Sequence, residues 1–168
     1  SLLSGPAGGI AGAVALAQAC DLEHVLTFDM GGTSTDVARI AGEPGYRYEQ
    51  EIGPVKVLAP AVKIETVAAG GGSICQWKNG GLQVGPESAG SSPGPACYGC
   101  GGPLTVTDVN LLLGFMDEAR ADIPLDRTAA EGKLDELIQE VGVEIHRVEL
   151  LEGLRKIAIG HMAEALRQ

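Results

Sequence analysis

Basic residues are scarce in this sequence: 12 lysines and arginines stand against 22 aspartates and glutamates, a formal net charge of −10. Such a surface repels polyanions, which excludes general electrostatic binding to nucleic acid or anionic lipid. A local phosphate site stays open to it, because backbone amides bind anions without net positive charge. Long apolar runs are missing too. No stretch approaches the roughly 18 apolar residues of a membrane span, and no basic segment leads into an apolar stretch and cleavage site, so a cytoplasmic protein is expected. Cysteine is sparse: Cys20, Cys75, Cys97 and Cys100 are too scattered for a small disulfide scaffold and read as reduced thiols. The chain opens on Ser1-Leu2-Leu3-Ser4 without methionine and stops at Gln168 inside a helical pattern, which reads as an inner piece of a larger protein.

What is abundant is glycine, 25 residues of 168, gathered in Gly5–Gly12, Gly31–Gly32, Gly70–Gly72 and Gly80–Gly102. Periodic apolar segments lie between these clusters, so they mark sharp turns or close backbone approaches rather than a low-complexity linker. With 45% hydrophobic residues the chain can fill a core. Ser4 and Pro6 open an uncharged, alanine-rich helix reaching Cys20, small-residued enough to be buried on nearly every side. His24–Met30 reads as a central strand, Thr33–Ile40 as its hairpin partner, and Tyr46–Ile52 and Val62–Val67 as further strands. Ile74–Trp77 and Leu82–Val84 flank Asn79-Gly80, a hairpin signal, and Gly85–Pro103 reads as one long loop. Helical spacing follows: Thr105 or Thr107 caps a helix to Phe115, then Leu134–Val141 and Leu151–Ala165 repeat the pattern. The expectation is an α/β domain, helix plus sheet over residues 1–104 and mainly helical over 105–168.

The chemistry concentrates in Phe28–Val37, FDMGGTSTDV. Glycines let backbone N–H groups face a concavity, and the hydroxyls of Thr33, Ser34 and Thr35 add donors, a combination that suits phosphate. Asp29 and Asp36 would repel phosphate unless a metal lay between, and Mg²⁺ takes few carboxylates alongside water and phosphate oxygens. A carboxylate could also orient an attacking water. The competing reading is a plain Gly-Gly hairpin with solvated polar groups. A P-loop is excluded, because no lysine follows the glycines.

The decapeptide resembles the second phosphate motif of the actin, sugar kinase and heat-shock chaperone ATPases. Ser4-GPAGG, FDMGGTSTDV, ETVAAGGGSI at Glu65–Ile74, VGPESAG at Val84–Gly90, PGPACYG at Pro93–Gly99 and GGPLTVTDVNLLLG at Gly101–Gly114 together resemble the hydantoinase A/5-oxoprolinase family. The resemblance implies a ribonuclease-H-like, actin-like ATPase lobe with a mixed sheet, a glycine-rich loop region and C-terminal helices. It also implies ATP cleavage coupled to opening a cyclic amide such as a hydantoin or 5-oxoproline, with ATP and Mg²⁺ as cofactors. By motif position Asp29 and Asp36 carry over as catalytic residues, Asp29 holding Mg²⁺ through water, while Gly31, Gly32, Thr33 and Thr35 carry over as phosphate neighbours. Gly71 and Gly72 join them as a second anion site or cleft floor, unless the tract only lets the chain turn. The implied partners are a small cyclic amide, a second subunit or fused domain, and further copies in a homo-oligomer, with no nucleic acid and no membrane. The family's first phosphate motif and its Gly-Gly-Ala-Gly adenosine motif do not occur here, so the isolated chain is expected not to turn over ATP. A ketone carboxylase on the same scaffold, or a nonenzymatic nucleotide-binding module, is the alternative.

Other candidates read more plainly. Cys97-Tyr98-Gly99-Cys100 has the spacing of half a zinc site, but no second half exists at recognisable spacing, though Cys97 could line the active-site loop. Glu87 and Ser88 read as solvated or substrate-facing, Lys63 and Glu65 as the wet face of a strand, and His161 as a packed histidine of the last helix.

Overall fold

In the computed structural model the backbone is described for residues 4–41, 43–44, 46–52 and 55–167, and the side chains for 7–41 and 63–167. The Ser4 cap, the chain's first residues and Gln168 lie outside the described side chains. The fold is α/β. Two compact units form, one from the residues up to Asp29 with Asp36–Thr66, the other from Met30–Thr35 with Val67–Arg167. These units divide the chain at points other than the change from strands to helices near Thr105.

The first unit joins α1 (Ser4–Ala19) to β1 (His24–Met30), β2 (Thr35–Ala41), β3 (Glu43–Pro44), β4 (Tyr46–Ile52), β5 (Val55–Val62) and β6 (Glu65–Val67). β2 is the strand that collects partners: β1, β3 and β6 all pair with it. β1 has β2 alone, so the strand expected at the centre of the sheet is an edge among the described residues, with Leu26, Phe28 and Met30 exposed. β4 and β5 form an antiparallel ribbon in which Tyr46 faces Val62 and Ile52 faces Val55. The core is small. Ile10, Ala38 and Ile40 are buried, and Ala13, Val14, Val25 and Ile64 pack around them. α1 is less covered than its composition suggests, with Leu16 65% exposed.

The second unit is a hairpin with helices laid on it. β7 (Ser73–Lys78) and β8 (Gly81–Ser88) pair antiparallel through a two-residue turn, Lys78 opposite Gly81. Asn79 at φ 54° and Gly80 at φ 78° supply the two positive φ values of a type I′ turn, which match the strand twist. α2 (Val106–Leu112), α3 (Arg127–Val141) and α4 (Arg147–Arg167) follow. α3 starts on Asp126, whose carboxylate accepts the Ala129 N–H at 3.0 Å, and ends on Gly142 in the left-handed region. Leu150, Leu154, Ala158 and Met162 recur at helical spacing along α4. With Leu134 and Leu137 of α3, Val109 of α2, and Cys75 and Val84 of the hairpin, the first three fill one core. Burying each leucine there contributes about 2 kcal/mol. Among the described residues no helix is long and apolar enough to cross a membrane.

Candidate functional site

In the first unit, Asp29 and Asp36 line the same cavity of about 360 Å³, floored by Ile10, Val25, Val37 and Ile64. Asp29 is exposed near the end of β1, and Asp36, at the start of β2, is half-buried. Thr66 on β6 donates its hydroxyl to Asp36 Oδ1 at 2.5 Å, which orients that carboxylate from the neighbouring strand. Two residues further from the turn, Thr27 Oγ1 accepts the Ala38 N–H at 3.0 Å, a side-chain tie between β1 and β2. The hairpin thus brings together the two carboxylates that the sequence places seven positions apart.

In the second unit the glycine turn is closed by a hydrogen bond from Gly31 N to Ser34 O at 2.9 Å. Gly31, Gly32 and Thr33 are exposed. The amides of Gly32, Thr33 and Ser34 have no acceptor among the described residues, so three N–H groups stand ready for an external anion. Behind the turn lies the Gly70–Gly72 tract. Gly71 N donates to Gly31 O at 3.0 Å and Gly72 N to Gly32 O at 2.6 Å. A Cβ on Gly70 would stand 2.6 Å from Gly31 O and 2.8 Å from Gly32 C and O, so the contact is backbone on backbone and requires glycine.

Four of the expected phosphate neighbours therefore have internal partners. The amides of Gly71 and Gly72 are already engaged by the turn. Thr35 is fully buried, and its hydroxyl donates to Ala69 O at 2.5 Å as an internal strut. Gly31 N is likewise engaged, which leaves Gly32 and Thr33, joined by Ser34, as the open donors.

Two residues at the start of α2, outside the expected site, organise the surroundings. Thr107 donates both its N–H and its hydroxyl to Gly71 O, at 2.8 and 2.9 Å. Asp108 is fully buried and accepts from Cys97 N at 2.7 Å, Ala96 N at 3.1 Å, Thr105 N at 2.7 Å and Thr105 Oγ1 at 2.8 Å. The available signal was Thr105-x-x-Asp108, in which the N3 carboxylate reaches back to the cap residue. Ala89 N adds a bond to Gly72 O at 2.9 Å. Through these contacts the tract, VGPESAG, PGPACYG and TVTDVN converge on the back of one turn.

Cys97 does not line an open site. It is fully buried, and burial first, then hydrogen bonding to and the charge of Asp108, push its thiol up to about 12. Burial also raises the Cys75 thiol, with Asp108 contributing. All four cysteines are free. Among the described residues no three His, Cys, Asp or Glu gather as a metal site. Lys63 and Glu65 pair at 3.7 Å, and His161, half-buried, lines a separate cavity of about 480 Å³ with Leu82, Val84 and Ile157. Glu87 is exposed and Ser88 half-buried; the Ser88 hydroxyl accepts the Gly90 N–H at 3.2 Å.

This α/β arrangement is the fold found in large ATP-dependent enzymes. A nucleotide-free acetone carboxylase, solved in work on ATP-dependent acetone carboxylation, superposes with a TM-score of 0.86 at 25% identity, over 99% of this chain and 24% of its own. The ATP-dependent caprolactamase from Pseudomonas jessenii superposes with a TM-score of 0.83 at 34% identity, over 98% of this chain and 24% of its own. The chain belongs to the hydantoinase/oxoprolinase family, whose sequence model matches residues 1–168. The 5-oxoprolinase PfmaA of Pestalotiopsis fici is 49% identical over 149 residues, covering 82% of this chain and 11% of PfmaA. The chain thus spans about a tenth of that relative's length.

Proposed function

We propose that this chain is the second phosphate-binding segment of an ATP-dependent enzyme that opens cyclic amides. The observation that carries the reading is the Gly32–Ser34 turn, exposed at Gly32 and Thr33, with unengaged amides backed by the hydrogen-bonded Gly70–Gly72 tract, in a family whose relatives include a 5-oxoprolinase. Gly32 and Thr33 would hold the terminal phosphates of ATP, with the Thr33 and Ser34 hydroxyls as further donors. Asp29 and Asp36 line one cavity, and Asp36 already accepts a hydroxyl, a donor set that fits Mg²⁺ held largely through water and not a closed protein cage. When bound, Mg²⁺ supplies the charge neutralisation that phosphoryl transfer needs. Asp29, the more exposed carboxylate, is the residue assigned to the metal's water shell, and Asp36 with Thr66 orients the strand end.

In the overall reaction the terminal phosphoryl group of ATP passes to the amide oxygen of the ring, leaving ADP. Water adding at the activated ring carbon lets the C–N bond break with the nitrogen leaving as the protonated amine, and a second water hydrolyses the resulting acyl phosphate to the acid and inorganic phosphate. The remainder of the nucleotide clamp, the ring pocket, a second subunit or fused domain and contacts between copies are assigned to the rest of the enzyme, in the cytoplasm. The likeness to acetone carboxylase supports a second reading, activation of a ketone for carboxylation on the same ATPase scaffold.

The test is ADP release by the full-length protein, assayed with 5-oxoproline, hydantoins and lactams, and separately with ketones plus bicarbonate. Amide-dependent release that falls about 100-fold or more in Asp29→Ala is expected, the order of magnitude of removing a positioned group from phosphoryl transfer. Ketone- and bicarbonate-dependent release would select the carboxylase. Normal turnover by Asp29→Ala would remove the site assignment.

A further inference from the structure

The geometry points to a positioning role for Gly70–Gly72: the tract orients two peptide planes of the Gly31–Gly32 turn so that the Gly32 and Thr33 amides face away from it, toward the phosphate groups of a nucleotide. This inference rests on the nucleotide reading above. Its basis is the planarity of the peptide group. The described cis bonds lie only at Gly85-Pro86 and Ser92-Pro93, so the Gly31–Gly32 and Gly32–Thr33 peptides are trans. In a trans peptide the carbonyl and the following N–H point in opposite directions. Gly31 O accepts from Gly71 N and Gly32 O from Gly72 N, so both carbonyls are turned toward the tract. The N–H groups of Gly32 and Thr33, sharing those planes, are turned away from it, and neither has an acceptor among the described residues.

A Gly-Gly turn has little preference of its own, because glycine populates both signs of φ at comparable cost. Something outside the turn must select which way its peptides face, and the tract supplies that selection. It is itself held from three directions. Thr107 donates twice to Gly71 O, Ala89 N donates to Gly72 O, and Gly70 N donates to Ser73 Oγ at 2.9 Å. Gly70 presses so closely on the turn that any side chain there would meet backbone atoms at 2.6 to 2.8 Å. The tract is thus a backing that presents donors while contributing none, and Thr107 is the residue that locks it.

Binding of ADP and of adenosine to the full-length protein, measured by calorimetry, separates the possibilities, because only ADP carries phosphate. Gly70→Ala is expected to weaken ADP about tenfold or more, the equivalent of one charge-assisted hydrogen bond, while leaving adenosine within about twofold. Thr107→Val removes the hydroxyl bond to Gly71 O and is expected to weaken ADP about threefold, with Thr107→Ser restoring it. Gly81→Ala, where a Cβ meets nothing within 4 Å, is the control for glycine replacement. If Gly70→Ala does not fold, the Thr107 pair decides. A wild-type protein that binds ADP no more tightly than adenosine removes the phosphate reading itself. Discrimination by the wild type that survives unchanged in the folded variants, or a loss of ADP and adenosine alike, overturns the positioning role alone.

Discussion

The two glycine turns use the same residue for opposite reasons. At Gly31–Gly32 there is room: a Cβ on Gly32 would meet nothing within 4 Å, and the residues are exposed. At Gly70–Gly72 there is none: added Cβ atoms would meet Gly31 O at 2.6 Å, the Thr107 hydroxyl at 2.8 Å and Gly32 O at 2.9 Å. The open turn keeps unengaged amides, whereas every amide of the crowded tract has an internal acceptor. Glycine thus serves ligand approach in one and backbone approach in the other, and a rigid, fully bonded layer is what allows an exposed layer of donors to hold its shape.

If the crowded side is the structural half, the largest losses belong to its deepest anchor. Asp108→Ala leaves the Cys97 and Thr105 amides and the Thr105 hydroxyl without their acceptor in a buried site, while Ala96 N keeps its bond to Pro103 O. Each orphaned donor costs about 1 to 3 kcal/mol, so a loss of about 4 kcal/mol or more in urea unfolding is expected. A loss below about 1 kcal/mol would mean that the PGPACYG loop is held by something else, and the contrast between the layers would lose its anchor.

The direct comparison replaces one glycine in each layer with alanine. Gly70→Ala forces a methyl group against backbone that cannot rotate away, and overpacking of that kind costs about 1 to 3 kcal/mol. Gly32→Ala adds a methyl group to open space and should change stability by less than about 1 kcal/mol. Thermal melts of the two variants should therefore differ clearly, with Gly70→Ala the lower. Equal melting temperatures would erase the distinction between the layers.

Much of this was legible in the sequence because it is local. Asn79-Gly80 marked its hairpin, Tyr46–Ile52 its strand, and the periodic leucines of α4 their buried face. The strand Val55–Val62 was not legible, since Pro60 interrupts it and Pro54 precedes it. β1 read as central because it is apolar, yet its place in the sheet depends on which strands join β2. The site was legible as a turn with two carboxylates, and Asp29 and Asp36 do line one cavity. The division of labour among its hydroxyls and glycines was not. Thr35 reaches Ala69, 34 residues away, and Thr107 reaches Gly71, 36 residues away. Spacing along the chain says nothing about such partners, and a glycine that admits phosphate looks the same as one that admits another backbone.

The smallest expected effect sits at the far end of the crowded side and tests whether that side is closed to solvent. Cys97 is buried beside Asp108, and its thiol is pushed up to about 12 from an ordinary value of 9.0. Because the folded-state value is the higher one, the folded protein keeps a proton that the unfolded chain releases. Stability is therefore little affected by this group below pH 9 and is lost as pH rises from 9 toward 12, by about 1.4 kcal/mol at pH 10. Urea unfolding at pH 8 and pH 10 should show a steeper loss for the wild type than for Cys97→Ala, which has no thiol to titrate. Brief iodoacetamide treatment at pH 8 should leave Cys97 unmodified until the protein is denatured. Parallel pH profiles for the two proteins, or rapid alkylation of native Cys97, would show that water reaches the crowded layer, and the two glycine turns would then differ in packing but not in access.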